Sequence, residues 1–302
     1  LEKTRLDLFL TKTHPHYSRS QIKKLIEDGF VLIDGQRRKP SFLLHGGEKI
    51  EMIRRAPEIP KAEAEAIPLN ILYEDEDILV INKEAGMVVH PAPGNARGTI
   101  VNAILHHLGV GVVREPPLRP GIVHRLDKGT SGVMVVAKND SAHKDLSLQF
   151  KNRRVEKIYQ ALVFGKFPHK EGTISRPIGR DATHRRKFSS KTRHAREAVT
   201  HFEIIKQYEG TALLRLKPET GRTHQIRVHL SEFHHPIVGD TMYGAKSFLS
   251  SIKEERVLEL LAAAARPLLH AYELRLTHPR TRERIGFVAP LPTDFKGILE
   301  SL

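Results

Sequence analysis

The chain has 302 residues, no cysteine, and 49 Lys+Arg against 35 Asp+Glu for a formal charge of +14; this allows one sizeable domain plus a small one and excludes disulfide frameworks, thiolate catalysis and cysteine-based metal sites. No stretch approaches the ~20 apolar residues that span a bilayer, and LEKTRLDLFL lacks a signal-peptide pattern, so a soluble protein in a cytoplasmic setting is expected. The surplus positive charge attracts polyanions, and with aromatics at 6% a nucleic acid would be held through phosphates more than through stacked bases.

Residues 1–55 read as a compact helical unit closed by short strands. Leu6, Phe9 and Leu10 repeat at helical spacing, as do Ile22, Leu25 and Ile26 after an N-cap at Ser18 or Ser20. Gly29 ends the second helix, residues 30–33 run as a strand into the hairpin signal Asp34-Gly35, and 49–53 supply a later strand. Residues 56–68, APEIPKAEAEAIP, have no apolar period and read as a semi-rigid linker, leaving 69–302 as a second domain. Strands at 71–73 and 78–81 flank the acidic turn Glu74-Asp75-Glu76-Asp77, which reads as a solvated hairpin tip rather than a metal cluster. A helix is predicted at 100–108, a strand at 133–138 and a helix from an Asp140 N-cap to residue 151. Strands follow at 159–163, 202–205 and 213–217, then helices at 225–233 and 248–265 and strands at 271–276 and 284–288. Strands in runs with helices segregated among them argue an α+β fold.

The most informative stretch is His124-Arg125-Leu126-Asp127-Lys128-Gly129-Thr130-Ser131-Gly132, followed by the apolar run 133–136. It places one carboxylate between two cations on a loop feeding a strand, where a sheet can hold a reactive group rigidly. Positive neighbours favour the ionised carboxylate, suited to act as a nucleophile rather than as a proton donor. Read alone, this pattern fits a structural ion pair in a loop as well. Other chemistries lack their signatures. The pairs His14/His16, His106/His107 and His234/His235 lack metal-ligand spacing on one helical face, no phosphate-binding glycine loop with its lysine exists, and Gly109-x-Gly111 lacks the third glycine of a dinucleotide site. Ser131 lies near His124 but in no nucleophile elbow. No metal is expected.

The nonapeptide resembles the HRLDxxTSG signature of the RluA-type pseudouridine synthases at every fixed position. Val80-Ile81-Asn82-Lys83 leading to Gly86-Met87-Val88-Val89-His90-Pro91 is similar to the family's first motif, and Lys157-Ile158-Tyr159-Gln160-Ala161 to its K-x-Y-x-A strand. Thr220-Gly221-Arg222-Thr223-His224-Gln225-Ile226-Arg227, then His235-Pro236-Ile237-Val238-Gly239-Asp240 and Tyr243-Gly244, is similar to its third motif; Leu269-His270-Ala271 and His278-Pro279 also fit. Residues 1–55 resemble the S4 RNA-binding domain, with Arg5, Ser18, Arg19, Lys23 and Lys24 on the helical face that meets RNA. The resemblance implies a mixed, mainly antiparallel catalytic sheet and isomerisation of uridine to pseudouridine in RNA without a cofactor. Within the family, the blocks are most similar to the enzymes of large-subunit (23S) ribosomal RNA or its precursor subunit, and a monomer is expected.

The resemblance further implies that Asp127 is the nucleophile, either adding to the nucleoside or assisting departure of the base. Arg227 is the arginine chosen to hold it, since a guanidinium offers a bidentate fork to a carboxylate; Arg222 is the alternative. Tyr159 would pack against the target base and serve in proton abstraction from the sugar. Arg125 would fill the space the flipped uridine vacates, with His124, Arg222 and His224 as further RNA contacts. Between Arg180 and Arg196 lie seven Lys/Arg and one acid, and Arg185, Arg186 and Lys187 in this segment are expected to grip the RNA backbone. A non-catalytic ribosomal RNA assembly factor would share the charge and the S4-like module; Asp127 with Tyr159 and Arg227 discriminates, because binding alone needs no carboxylate in a basic cleft.

Overall fold

A computed structural model describes residues 4–14, 17–53, 62–91, 95–109, 112–113, 121–184, 187–192 and 194–302. The chain divides into two compact units, Leu1–Ile59 and Pro60–Leu302.

In the N-terminal unit the helices Leu6–Thr13 and Arg19–Glu27 pack on a small antiparallel sheet in the order Gln36–Arg37, Val31–Ile33, Ile50–Met52. Leu6, Leu10, Ile22, Ile26, Val31 and Ile33 form its core, all but withdrawn from solvent; each contributes roughly 1.5–3 kcal/mol of burial. The hairpin turns at Asp34 (φ 50°) and Gly35 (φ 75°), both in the left-handed region that a tight two-residue turn demands. Of the two candidate caps, Ser18 precedes the second helix and Ser20 lies inside it.

Residues 62–68 depart from the expected linker, while 56–61 lie outside the described residues. Ala62 is fully buried in a core cluster with Val101, Ile104 and Leu105. Asn102 Nδ2 donates to Glu63 O at 2.7 Å, and Glu65 N donates to Asn102 O at 3.1 Å. Small apolar Ala62 fits under the helix Ile100–His107, so this segment belongs to the second unit.

That unit is built on a nine-stranded sheet. Its order is Glu171–Ser175, Val199–Gln207, Thr211–Pro218, Glu156–Phe164, Leu269–Thr277, Ser131–Ala137, Ile78–Lys83, Ile71–Glu74, with Arg284–Val288 also paired to Leu269–Thr277. Every pairing is antiparallel except Ser131–Ala137 against Leu269–Thr277. Both faces are covered, which is why the strands read as apolar runs rather than as alternation. Leu79, Ile81, Met134 and Val136 face the helix Ile100–His107; Ile78, Val80, Val133 and Val135 face the helix Asp140–Lys151. In the other half, Ala161, Val163, Leu214 and Leu216 pack on the helix Gln225–Glu232, and Leu162, Phe164 and Leu213 on helices from the last 60 residues.

Several sequence expectations are corrected. The helix after residue 139 is capped by Asn139, whose side chain accepts from Ala142 N at 2.9 Å, not by Asp140. The single helix expected over 248–265 is two, Ala245–Leu249 and Glu255–Ala262, because Ser250 and Ser251 turn the chain and bond their hydroxyls back to Ser247 O and Phe248 O. The strand Glu171–Ser175 and the helix Thr293–Ser301 were not expected. The acidic turn is no solvated tip. Asp75 accepts from Asp77 N and Ile78 N and from Tyr73 Oη, with His278 Nε2 at 2.8 Å, while Lys138 bonds Glu74 and Arg280 and Asn139 bond Asp77. Burial would raise the Asp75 carboxyl, but the Ile78 and Asp77 amides and their neighbours hold it down at about 2. The turn is a staple between strands remote in sequence.

Candidate active site

The site forms where the sheet changes direction. Ser131 and Gly132 pair in parallel with His270 and Ala271. Gly132 (φ 116°) allows this approach, since a Cβ there would lie 2.1 Å from Ala271 O. On its other side Ala271 is opposite Tyr159, at a bulge after Ile158. The loop carrying Asp127 and the strand carrying Tyr159 therefore flank one residue of a third strand.

Beyond Ala271 the strand Leu269–Thr277 turns to pair with Arg284–Val288, baring the edge of Ser131–Ala137. Residues 121–124 fill that edge: Ala137 N donates to Gly121 O at 2.8 Å, Ile122 bridges Val136, and Val135 N donates to His124 Nε2 at 3.0 Å. His124 also stacks on Phe150 with ring centroids 4.6 Å apart, and burial, with Lys157 nearby, pulls its imidazole down to about 3. A neutral ring that accepts a strand amide is a structural element. His124 thus plugs the sheet edge, and its half-buried ring also lines the cleft described below. Buried Ser131 Oγ pairs with His270 Nδ1 at 2.9 Å, and His270 Nε2 meets Ala289 O, so no carboxylate completes a triad.

The Asp127 loop is held from behind. Lys83, 1% exposed, donates from Nζ to Glu84 O, Met87 O and Lys128 O. Gly86 N donates to Lys128 O at 2.7 Å and Arg266 Nη1 to Gly129 O at 3.2 Å. Burial pulls the Lys83 ammonium down to about 8, against the charge of Asp127.

Asp127 Oδ2 lies 3.3 Å from Arg227 Nη1 and 3.8 Å from His224 Nε2. Arg227 is shared: its Nε and Nη2 fork onto Asp240 at 2.6 and 2.9 Å, and its guanidinium sits over the Tyr243 ring at 4.9 Å. Burial opposes the charge on Arg227, but Asp240 and Asp127 outweigh it and raise its pKa. Tyr243 Oη accepts Phe188 N at 2.9 Å and lies 2.7 Å from His224 Nδ1. The hydroxyl accepts from the amide and shares a hydrogen bond with Nδ1, which orients the ring with Nε2 facing Asp127. Burial lowers the His224 pKa, with the Asp127 charge opposing. His224 starts the helix Gln225–Glu232 at φ 57°, a conformation unusual for a non-glycine residue.

Asp127, His224 and Arg227 line a cleft of about 630 Å³ that also holds Tyr159, Lys157, Arg125 and Arg222. Burial first, then the charge of Asp127, pushes the Tyr159 phenol up, keeping it protonated. Arg227 rather than Arg222 is the arginine against Asp127; Arg222 Nε donates instead to Glu197 O at 3.1 Å. Arg125 is exposed at the cleft. Lys187 is half-buried beside the short strand Phe188–Ser189, whereas Arg185 and Arg186 lie outside the described residues. In the N-terminal unit Arg5 and Arg19 converge on buried Asp7, and Lys23 is exposed beside Glu27. Sequence reasoning left Asp240, Tyr243, Lys83 and Asp7 without a role. The first three sit inside the motif blocks, but nothing in their spacing shows what they touch.

Comparison with known proteins fits this architecture. The RNA pseudouridylate synthase family matches residues 77–232, and the S4 domain matches 4–50. A protein named uncharacterized RNA pseudouridine synthase from Aquifex aeolicus is 44% identical, covering 98% of this chain and 93% of its own length. The ribosomal large subunit pseudouridine synthase D of Haemophilus influenzae is 44% identical over 99% of this chain and 91% of its own. The solved structure of human RNA pseudouridylate synthase domain containing 4 is similar at a TM-score of 0.59 and 29% identity, covering 77% of this chain and 92% of that one. The chain belongs to the RluA family of RNA pseudouridine synthases and carries an N-terminal S4 domain. Its activity is that of an intramolecular isomerase acting on RNA. No helix among the described residues is long and apolar enough to cross a membrane.

Proposed function

We propose that the enzyme converts uridine to pseudouridine in large-subunit (23S) ribosomal RNA, with Asp127 as its nucleophile. The observation that carries the assignment of Asp127 is its carboxylate in the cleft, 3.3 Å from an arginine that is itself clamped by Asp240. The target uridine leaves its stack to enter, and Arg125, exposed beside Asp127, fills the space. The C1′–N1 bond breaks with Asp127 adding to the nucleoside or assisting base departure. The uracil turns, C5 bonds to C1′ while any bond formed by Asp127 breaks and returns its electron pair to the carboxylate, and the C5 proton is exchanged for one on N1, so the balance closes without a co-reactant. Arg227 keeps Asp127 oriented, and charged whenever its carboxylate is free. Tyr159 supports the target base; its protonated phenol makes it a poor base for the sugar proton.

The ribosomal target rests on relatives named ribosomal large subunit pseudouridine synthase D, 41–44% identical over 99% of the chain. The S4 domain supports the same choice through its RNA-binding role. Mapping pseudouridine in ribosomal RNA from cells lacking the protein tests it. Loss of one or more 23S sites, restored by the wild-type copy and not by Asp127→Asn, is expected. An unaltered 23S map would refute the ribosomal target.

A further inference from the structure

A second trough of about 370 Å³ opens beside the catalytic cleft, and the two share Arg153, Lys157, Pro218 and Glu219 as common walls. Its lining has five cations, Arg153, Arg154, Lys157, Lys217 and Arg284, against the carboxylates Glu156 and Glu219. Both carboxylates are already engaged: Glu156 Oε1 with Lys217 Nζ at 2.6 Å, and Glu219 Oε1 with His201 Nε2 at 2.7 Å. Arg153 has one long pair, 3.4 Å to exposed Glu197, and Arg154 is exposed. Among the described residues, Lys157 Nζ reaches only a carbonyl, Thr220 O, at 3.4 Å. The junction of the two grooves therefore holds cations in excess of its anions.

Arg153 itself is in the left-handed region (φ 59°) just past the helix Asp140–Lys151, with Arg153 N donating to Phe150 O and Arg154 N to Gln149 O. Glycine is the residue suited to that position at a helix end. An arginine there is strained, and strain of this kind collects at functional positions. Arg284 Nη1 donates to Arg154 O at 2.9 Å, fixing the backbone that carries both guanidiniums.

Accepting that RNA occupies the cleft, we infer that its backbone leaves on one side through this trough, with Arg153 and Arg154 binding the phosphates next to the flipped uridine. Polyanion and trough are complementary in charge, and the shared walls make the path continuous with the site. Burial and then Arg153 pull the Lys157 ammonium down to about 8, a repulsion that a phosphate would relieve.

The test uses the full chain and an unmodified 23S transcript as probe, with Kd measured against salt. Arg153→Gly/Arg154→Ala should weaken binding and lower the slope of log Kd against log salt by about 0.7 for each phosphate no longer neutralised, while thermal stability holds or rises because the strained residue is gone. Lys246→Ala/Lys253→Ala, exposed and outside both grooves, should leave the slope alone. Shortening a 23S fragment on one side of its uridine should weaken binding to the wild type and not to the double variant; shortening on the other side should weaken both. An unchanged slope, or a loss of binding matched by a loss of stability, would overturn the proposal. Pseudouridine formed by the wild type on the same transcript is read separately, so an incorrect target shows itself there and leaves the binding comparison intact.

Discussion

The two units solve opposite problems with the same pair of residue types. In the catalytic unit one arginine, Arg227, serves two carboxylates, the half-buried Asp127 and the buried Asp240. In the N-terminal unit one buried carboxylate, Asp7, serves two arginines, Arg5 and Arg19, whose side chains stay 43% and 55% exposed. The surplus partner shows what each cluster presents. Asp240 immobilises Arg227 from behind and leaves Nη1 for Asp127, so the cleft gains an oriented anion. Asp7 aims two guanidiniums, so the surface keeps two exposed cations.

This contrast can be broken from the catalytic side first. Arg227→Met should lower kcat by about a thousandfold, the upper range for removing one preorganised charge partner in a site. Asp240→Ala should lower it by about a hundredfold through misplacement of Arg227, although Asp240 never meets substrate. It should also destabilise the fold by about 3–5 kcal/mol, since half of a buried pair is left. Single-turnover rates and denaturant unfolding of the two variants check both numbers. If Asp240→Ala leaves the rate near wild type, Asp240 does not position Arg227.

In the N-terminal unit the effects should be on binding. Arg5→Ala/Arg19→Ala should lower the salt slope of RNA binding by about 0.7–0.9 for each phosphate these arginines would otherwise neutralise, with the rate at saturating RNA little affected. A slope equal to wild type would mean that these guanidiniums do not touch RNA. The smallest effect concerns pH. Burial raises the Asp7 carboxyl, but hydrogen bonds from Arg5 and Arg19 outweigh it and hold the pKa below its ordinary 3.8. A depressed carboxyl stabilises the fold above the unfolded pKa, and that contribution is lost as pH falls through the folded one. Amide exchange at Leu10 should therefore rise below pH 3.8 in the wild type, and Asp7→Asn should flatten this dependence.

What the sequence made legible follows the range of the interactions. The Asp127 loop, the Tyr159 strand and the helix carrying Arg227 could be placed because their apolar periods are local. Asp240 stood in a quoted motif without a role, because the fork between it and Arg227 depends on how residues 233–240 fold back on the helix. The acidic turn 74–77 was misread for a stronger version of the same reason: His278 and Arg280, which hold it, follow some 200 residues later. The place of His124 beside Arg125 points to RNA, while its bond to Val135 N depends on the bared sheet edge and is not legible in the sequence. The strand Glu171–Ser175 is polar at three of its five positions and lies at the sheet edge, where apolar alternation fades.

The central claim is that Asp127 reacts while Arg227 and Asp240 hold it. Purified Asp127→Asn, mixed in excess with unmodified 23S transcript and followed for pseudouridine through a single turnover, tests it most directly. The amide is isosteric but no competent nucleophile, so the account predicts a folded protein that binds the RNA as wild type does and forms no pseudouridine. Formation at a rate near wild type would contradict it.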